Sequence, residues 1–412
     1  MNNERHLQQS SGAWVLDYES TSAAGTGLPA LRLSLREQVS GLRPNQFPHS
    51  ALDTWVGRVA EIDDYMWGGA ERHWQSRNNS LAAIGLEQGS LRSSLDQVID
   101  HYSAGRVGIV MGSSTSSIDR TEQAYRHLTE TELLRPEFQQ RHVHNPHAPG
   151  LFVAHRTGIT GPVMTINTAC SSSAKVFATG VRWLACGIAD AVLVGGVDTL
   201  CLSVIHGFHS LQLVSAGPCK PFDKHRNGIN LGEAAGFAIL VRPDYLEKKG
   251  IDKTHLPRLA GYGESSDAHH MSHPHPEGEG ARRAIDAALR VARLSTEDID
   301  YINLHGTASR ANDLIEGQLI GEMFNQQKTA MSSTKGWTGH TLGAAGITEA
   351  IIAMEALGNN FVPGTLNLEE LDNNLNLNMS SKNIDKPLTR VMSNSFGFGG
   401  NNCCLIFSKA GV

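Results

Sequence analysis

Nothing in this 412-residue chain approaches the run of roughly 18 apolar residues that a membrane-spanning helix requires. Its first two dozen residues are polar and carry no apolar stretch behind a basic start, so no secretory signal is expected. No block of lysine or arginine occurs, and with a net charge of −6 nucleic acid is not expected as a partner. Cysteine is scarce: Cys170, Cys186, Cys201, Cys219, Cys403 and Cys404 include no C-x-x-C pair, and a chain this long needs no disulfide staples. There is neither a Walker loop nor a G-x-G-x-x-G after a strand, which leaves nucleotide-phosphate chemistry without support. Charged residues make up only 18%, against 40% hydrophobic, which suits an ordinary globular protein with a large core. Reduced thiols and a cytoplasmic location are the expectation.

Glycine, by contrast, is plentiful at 42 residues, and many tight turns follow from that. Short β-branched runs alternate with alanine-rich helical stretches, which predicts an α/β fold with strands buried on both faces. Residues 106–111, 191–194 (leading into Gly195-Gly196), 236–241, 299–304 and 403–407 read as strands. Helical periodicity covers 281–292 and 345–357, and is expected over 28–42. The polar, lysine-bearing stretch 242–256 marks a boundary, giving residues 1–245 and 246–412. Each part holds a strand, a small-residue turn with a reactive side chain, and an alanine-rich helix, an echo that any α/β protein could produce.

Cys170 lies in T-I-N-T-A-C-S-S-S, where a β-like run meets a turn of small residues ahead of a helix. That placement puts the sulfur near a helix N-terminus, whose free N–H groups and dipole favour a thiolate and lower its pKa. The same N–H groups could hold an oxyanion on a thioester under attack. A buried inert cysteine is the plain alternative, so its company decides. His305 stands on a glycine turn in N-L-H-G-T-A-S-R-A-N-D, directly after a strand. Lys335 and His340 share the glycine-rich S-S-T-K-G-W-T-G-H-T-L-G-A-A-G, and S-N-S-F-G-F-G-G-N-N precedes the last strand.

These four segments resemble, in order and at similar spacing, the signature blocks of β-ketoacyl-acyl carrier protein synthases. Residues 219–236 and 261–280 add to the likeness, which is strong over about 105–407 and weaker over the first hundred residues. The resemblance implies a thiolase-like fold, in which two similar βαβαβαββ halves build a five-layered α-β-α-β-α body, usually dimeric. It implies that Cys170 carries an acyl chain as a thioester. His305 and His340 would then hold the carbonyl of malonyl-ACP while carbon dioxide leaves, and the enolate would attack the acyl-Cys170. Lys335, partnered by Glu349, would orient the histidines, and Asp313 and Glu316 would support the loop of the first. Phe398 would gate the nucleophile and lend its N–H to the oxyanion hole. Thr307, Ser309, Gly399 and Gly400 would bind substrate along the phosphopantetheine channel. Neither a metal nor a cofactor is implied, since substrates arrive on the phosphopantetheine of an acyl carrier protein. A homodimer, or a heterodimer with a chain-length subunit, is the expected assembly.

The chain departs from the pattern in places. A polar tail, then A-W-V-L-D-Y at 13–18 and S-T-S-A-A-G-T-G, stand where the family has V-V-V-T-G, which leaves the first strand and part of the dimer edge open, and Asn401 and Ser309 stand where threonine is usual. Residues 106–121 and 219–236 are worded like condensing enzymes of bacterial aryl polyene clusters. A thiolase would need a second catalytic cysteine near the C-terminus, whereas Cys403 and Cys404 fall in a strand. A partner subunit without activity would commonly lack the nucleophile. His269, His270, His273 and His275 suggest metal, but prolines flank His275 and no H-E-x-x-H is present, so this stretch reads as a polar loop at the channel mouth. An acidic carrier protein predicts a basic patch at the entrance, for which Lys220, Lys224 and Arg226 are candidates.

Overall fold

The computed structural model describes residues 13–128, 133–138, 140 and 142–411; the polar start of the sequence, 1–12, lies outside the described residues. Among the described residues the main sheet has eleven strands, the short Gly25–Thr26 beside β1 and ten along its path: β1 (Trp14–Ser22), β2 (Val107–Gly112), β3 (Val163–Ile166), β4 (Ala191–Asp198), β5 (Ala234–Val241), β6 (Arg258–Ser266), β7 (Tyr301–Asn303), β8 (Ala330–Ser332), β9 (Arg390–Gly397) and β10 (Asn401–Ser408). Their spatial order is β8-β7-β9-β10-β6-β1-β5-β4-β2-β3. Cut between β6 and β1, this is the same order twice: in each five-strand group the third strand lies outermost, followed by the second, fourth, fifth and first. The polarities repeat too, since β3-β2-β4 and β8-β7-β9 are parallel while the remaining pairs within each group are antiparallel. The groups meet through one Cα pair, Trp14 with Arg258.

Side-chain alternation shows why these strands read as unbroken apolar runs. On β10, Cys403, Leu405 and Phe407 face one core while Cys404 and Ile406 face another. On β5, Ala238 and Leu240 point inward and Phe237, Ile239 and Val241 outward. A strand with both faces covered must be apolar at every position. The central core takes in Val176 and Phe177 of helix α4 (Ser172–Ala185) and Ile347 and Ile351 of α8 (Ala345–Asn359). Outside one sheet lie α2 (Arg77–Leu86) and α3 (Leu91–Tyr102); outside the other lies α6 (Glu279–Ala292), with α7 (Arg310–Met323). The five layers are thus α-β-α-β-α.

One local reading is corrected. The helix expected over 28–42 is α1 (Leu28–Glu37) and stops there: Gln38 turns left-handed at φ 55°, its N–H bonding back to the helix carbonyls. The atypical opening nevertheless makes a full strand, β1, which pairs along β5 from Trp14 to Ser22. Among the described residues, no helix is long and apolar enough to cross a membrane.

Candidate active site

The nucleophile turn is built by close backbone approach. Ala169 adopts φ 51°, and Ser172 Oγ accepts from Thr168 N (2.8 Å) while donating to Ala169 O (2.6 Å). Cys170 is left just ahead of α4. Gly346 explains the A-A-G ending of its segment, because a Cβ there would fall 2.4 Å from Ala174 N on the first turn of α4. From the opposite side, a Cβ on Gly397 would stand 3.2 Å from Cys170 N. The amide N–H groups of Phe398 and of Cys170 itself both donate toward the sulfur. Two donors on one point is the arrangement that stabilises an oxyanion formed there.

The expected low thiol pKa is not found. Burial pushes the Cys170 thiol up to about 11, outweighing the pull of the Phe398 N–H and of the Lys335 charge. Cys170 is buried, and the cost of desolvating a thiolate there exceeds what the nearby N–H groups return.

His305 follows β7, and its loop is fixed from α7. Glu316 accepts from His305 N and Gly306 N at 2.8 Å each, and Asp313 accepts from Ala308 N at 3.1 Å and Phe222 N at 2.8 Å. Thr307 and Ser309 place their hydroxyls 2.9 Å apart on the cavity wall. His340 is sewn into the other half, its N–H donating to Asn230 O at 2.7 Å and its carbonyl accepting from Gly232 N at 3.0 Å.

The two imidazoles stand 5.4 Å apart, nearly perpendicular. Leu342 N donates to His340 Nδ1 at 3.2 Å, so the proton of that ring sits on Nε2, 3.1 Å from Cys170 Sγ. On His305, Lys335 Nζ lies 3.4 Å from Nδ1 and also donates to the His305 carbonyl. An ammonium there fixes the same tautomer, with Nε2–H free for a ligand. Burial, then the Lys335 charge, hold both imidazoles well below the usual histidine range, so both are neutral at pH 7. Lys335 is ion-paired with Glu349 of α8, whose carboxyl burial pushes up.

Cys170, His305 and His340 offer three potential metal ligand atoms within 4.8 Å of one another. Their surroundings select against a cation, because Leu342 N–H and the Lys335 ammonium occupy both Nδ1 positions and leave N–H donors facing the sulfur. The site is built to receive negative charge.

A cavity of about 140 Å³ opens over the sulfur, lined by Phe208, Leu211, Leu213 and Ile229 on one side and Thr307, Ser309 and Phe396 on another. Phe398 lines it too and stacks on Phe208 of α5 (Leu202–Ser210), with centroids 5.7 Å apart. Gly399 and Gly400, expected to bind substrate, are not among the lining residues; Gly397 is. They shape the turn instead, at φ 73° and 69°, with Gly399 N donating to Met271 O (2.7 Å) and Gly400 O accepting from Asp267 N (2.8 Å). Asn401 Oδ1 lies 3.3 Å from Lys175 Nζ and keeps the polar character of its position. Cys403 and Cys404 face opposite cores, away from the cavity.

The expected basic patch is neutralised. Lys220 pairs with Glu369 at 2.7 Å, Lys224 with Glu370, and Arg226 with Asp372 at 2.6 Å. Arg226 is buried, and none of the three lines the cavity.

Sequence reasoning missed Asp198, at the end of β4. It accepts from Ser113 Oγ (2.6 Å), from the amide and hydroxyl of Ser114 (2.8 and 2.6 Å), from those of Thr115 (3.0 and 2.7 Å) and from Gly343 N (2.6 Å). One carboxylate thus ties the end of β2 to the loop bearing His340. A lone acid closing an all-apolar strand, V-L-V-G-G-V-D, was the available signal. Asp198→Ala strands these donors in a dry interior and is expected to cost about 3 kcal/mol or more. Chemical denaturation checks this; an unchanged midpoint would show that the clamp carries no load.

Glu316 supplies a pH prediction. Burial pushes it from 4.5 to about 7, despite its backbone donors. The folded chain therefore holds a proton that the unfolded chain has lost over that interval, and stability drains as pH rises through 7. The melting midpoint is expected to fall between pH 5 and 8, with a shallower slope in Glu316→Gln; equal slopes would contradict the assignment.

Fold and site together define a thiolase-like condensing enzyme. Family models described as β-ketoacyl synthase, N-terminal domain and C-terminal domain match residues 54–244 and 256–369. The chain belongs to the β-ketoacyl synthase family. It is 34% identical to 3-oxoacyl-[acyl-carrier-protein] synthase 2 of Coxiella burnetii over 76% of this chain and 77% of that one. It is also 34% identical to nodulation protein E of Rhizobium meliloti, over 93% and 96%. Among solved structures, a chain of the ketosynthase ApeO in complex with its chain length factor ApeC, from Xenorhabdus doucetiae, superposes with a TM-score of 0.84. That likeness has 33% identity over 97% of this chain and 98% of the other. The protein is a β-ketoacyl synthase acting in fatty acid or polyketide chain elongation.

Proposed function

We propose that Cys170 takes an acyl chain from an acyl carrier protein and that His305 and His340 then drive its extension by malonyl-ACP. The carrying observation is the pair of neutral imidazoles presenting Nε2–H groups beside the thiol. In the first half-reaction Cys170 Sγ adds to the acyl-ACP thioester carbonyl, and the N–H groups of Cys170 and Phe398 receive the oxyanion. The C–S bond to pantetheine breaks and the thiol proton leaves with that sulfur. In the second, the malonyl thioester oxygen accepts from both Nε2–H groups. The bond to the carboxylate breaks, CO2 departs, and its electron pair becomes an enolate held by those donors. The enolate carbon attacks the acyl-Cys170 carbonyl, the C–S bond breaks, and the Cys170 thiolate takes up one proton from solvent. A 3-oxoacyl-ACP results. Substrates arrive on the phosphopantetheine arm, and this scheme needs no bound cofactor.

A dimer follows from the edge of the sheet. β3 ends the strand order, and Met164 on it is exposed. An unpaired edge with exposed apolar side chains invites a second sheet. The similar ApeO structure is titled as a ketosynthase with its chain length factor, which favours a heterodimer with such a subunit here. That likeness and the wording of residues 106–121 and 219–236 favour the aryl polyene type, making a polyunsaturated chain on an aromatic starter in the cytoplasm.

The test incubates the protein with malonyl-ACP and a panel of acyl-ACPs, alone and co-expressed with a chain-length subunit, following product mass. A 3-oxoacyl-ACP two carbons longer than its starter is expected. Absence of both acyl-Cys170 and product in both arrangements overturns the proposal.

A further inference from the structure

The histidine-rich turn between β6 and α6 has no part in the chemistry above, yet its donor atoms converge. His270 Nδ1 and His273 Nδ1 lie 3.1 Å apart. Between them the Ser272 hydroxyl stands 3.4 Å from the first and 3.2 Å from the second. Two nitrogens and an oxygen therefore form a nearly equilateral triangle. A cation bonded to two imidazoles at ~2.0–2.1 Å, with tetrahedral to octahedral angles, holds the nitrogens roughly 2.9–3.4 Å apart. The observed 3.1 Å spacing falls within that range. Imidazole donors with a hydroxyl select a first-row transition ion such as Zn²⁺ over Mg²⁺ or Ca²⁺.

Protonation is compatible as well. Ser272 N donates to His270 Nδ1 at 3.1 Å, so that nitrogen carries a lone pair, which an arriving cation takes over from the Ser272 N–H. His273 binds a cation as the tautomer with its proton on Nε2, which leaves Nδ1 a lone pair facing His270 Nδ1. Both histidines are exposed, so an ion reaches them without entering a cavity.

The position gives such an ion a consequence. Ser272 and His273 line the reaction cavity, and Met271 O holds the N–H of Gly399, next to Phe398. We propose that His270, His273 and Ser272 Oγ form a binding site for a divalent transition-metal ion at the cavity mouth, and that its occupation restrains the mouth and slows access to Cys170. The site is distinct from the buried Cys170–His305–His340 group, whose imidazoles turn N–H donors toward the sulfur.

Calorimetric titration of tag-free protein with Zn²⁺ tests this, using the wild type, His270→Ala, His273→Ala and Cys170→Ala, with circular dichroism to verify folding. Uptake of a single ion per chain by the wild type and Cys170→Ala is expected, with loss in both histidine variants. Binding that survives in folded His273→Ala, binding lost in Cys170→Ala, or none in the wild type would overturn the site. The access half is read by mass spectrometry as the rate at which a small maleimide labels Cys170, which is independent of condensing activity. Zn²⁺ is expected to slow labelling in the wild type and not in His273→Ala; an unchanged wild-type rate refutes the restraint.

Discussion

Cys170→Ala is expected to abolish 3-oxoacyl-ACP formation while leaving CO2 release from malonyl-ACP in place. The sulfur is the atom on which the acyl chain waits, and no other thiol lines the cavity among the described residues. Loss of a covalent nucleophile costs roughly 10⁴-fold or more in turnover. The donors facing the malonyl carbonyl lie on other elements, however. His305 is held by Glu316 and Lys335, and His340 by Asn230 and Leu342, so alanine at 170 disturbs neither. Enolate formation continues, and with no acyl thioester to attack, the enolate takes a proton and appears as acetyl-ACP. Mass analysis of the carrier protein distinguishes the products. Continued condensation would remove Cys170 from the mechanism, and loss of both products from a folded variant would mean that the half-reactions are not separable as described.

That separability rests on features of unequal visibility in the sequence. The four blocks stood out because their chemistry demands unusual residues. Glycine must flank each reactive side chain where backbones approach within contact distance, as Gly346 does at Ala174 and Gly397 at Cys170. Doubly covered strands such as β5 and β10 were legible for the complementary reason, since nothing polar can stand on them. Contacts between residues distant along the chain were not. Lys220 and Glu369, or Arg226 and Asp372, look unpaired when only near neighbours are in view, which is why the three cations read as candidates for a patch. The end of α1 depended on one residue, Gln38, accepting a left-handed conformation that its side chain does not announce. The thiol pKa was misread because a helix N-terminus is visible in a sequence and depth of burial is not. In each case the missing quantity was the environment and not the residue.

The second large effect concerns the imidazoles, and it should divide the two half-reactions between them. His305→Ala and His340→Ala each remove one of the Nε2–H donors aimed at the malonyl carbonyl. Loss of one preorganised donor to a developing oxyanion lowers turnover about 10²–10³-fold. CO2 release and condensation are expected to fall together by that amount in both variants. Acylation of Cys170 should discriminate, because only His340 Nε2 lies against Sγ, at 3.1 Å. In His305→Ala the acyl-enzyme should form at close to the wild-type rate and then persist; in His340→Ala its formation should slow as well. Rapid-quench mass measurement of acyl-Cys170 resolves the two steps. The wild-type rate of CO2 release should show no imidazole limb between pH 6 and 8, since both rings are held neutral well below that range. If the variants slowed acylation equally, or a limb appeared near pH 6.5, the imidazoles would be exchanging protons, and the assignment of both as fixed donors would fail.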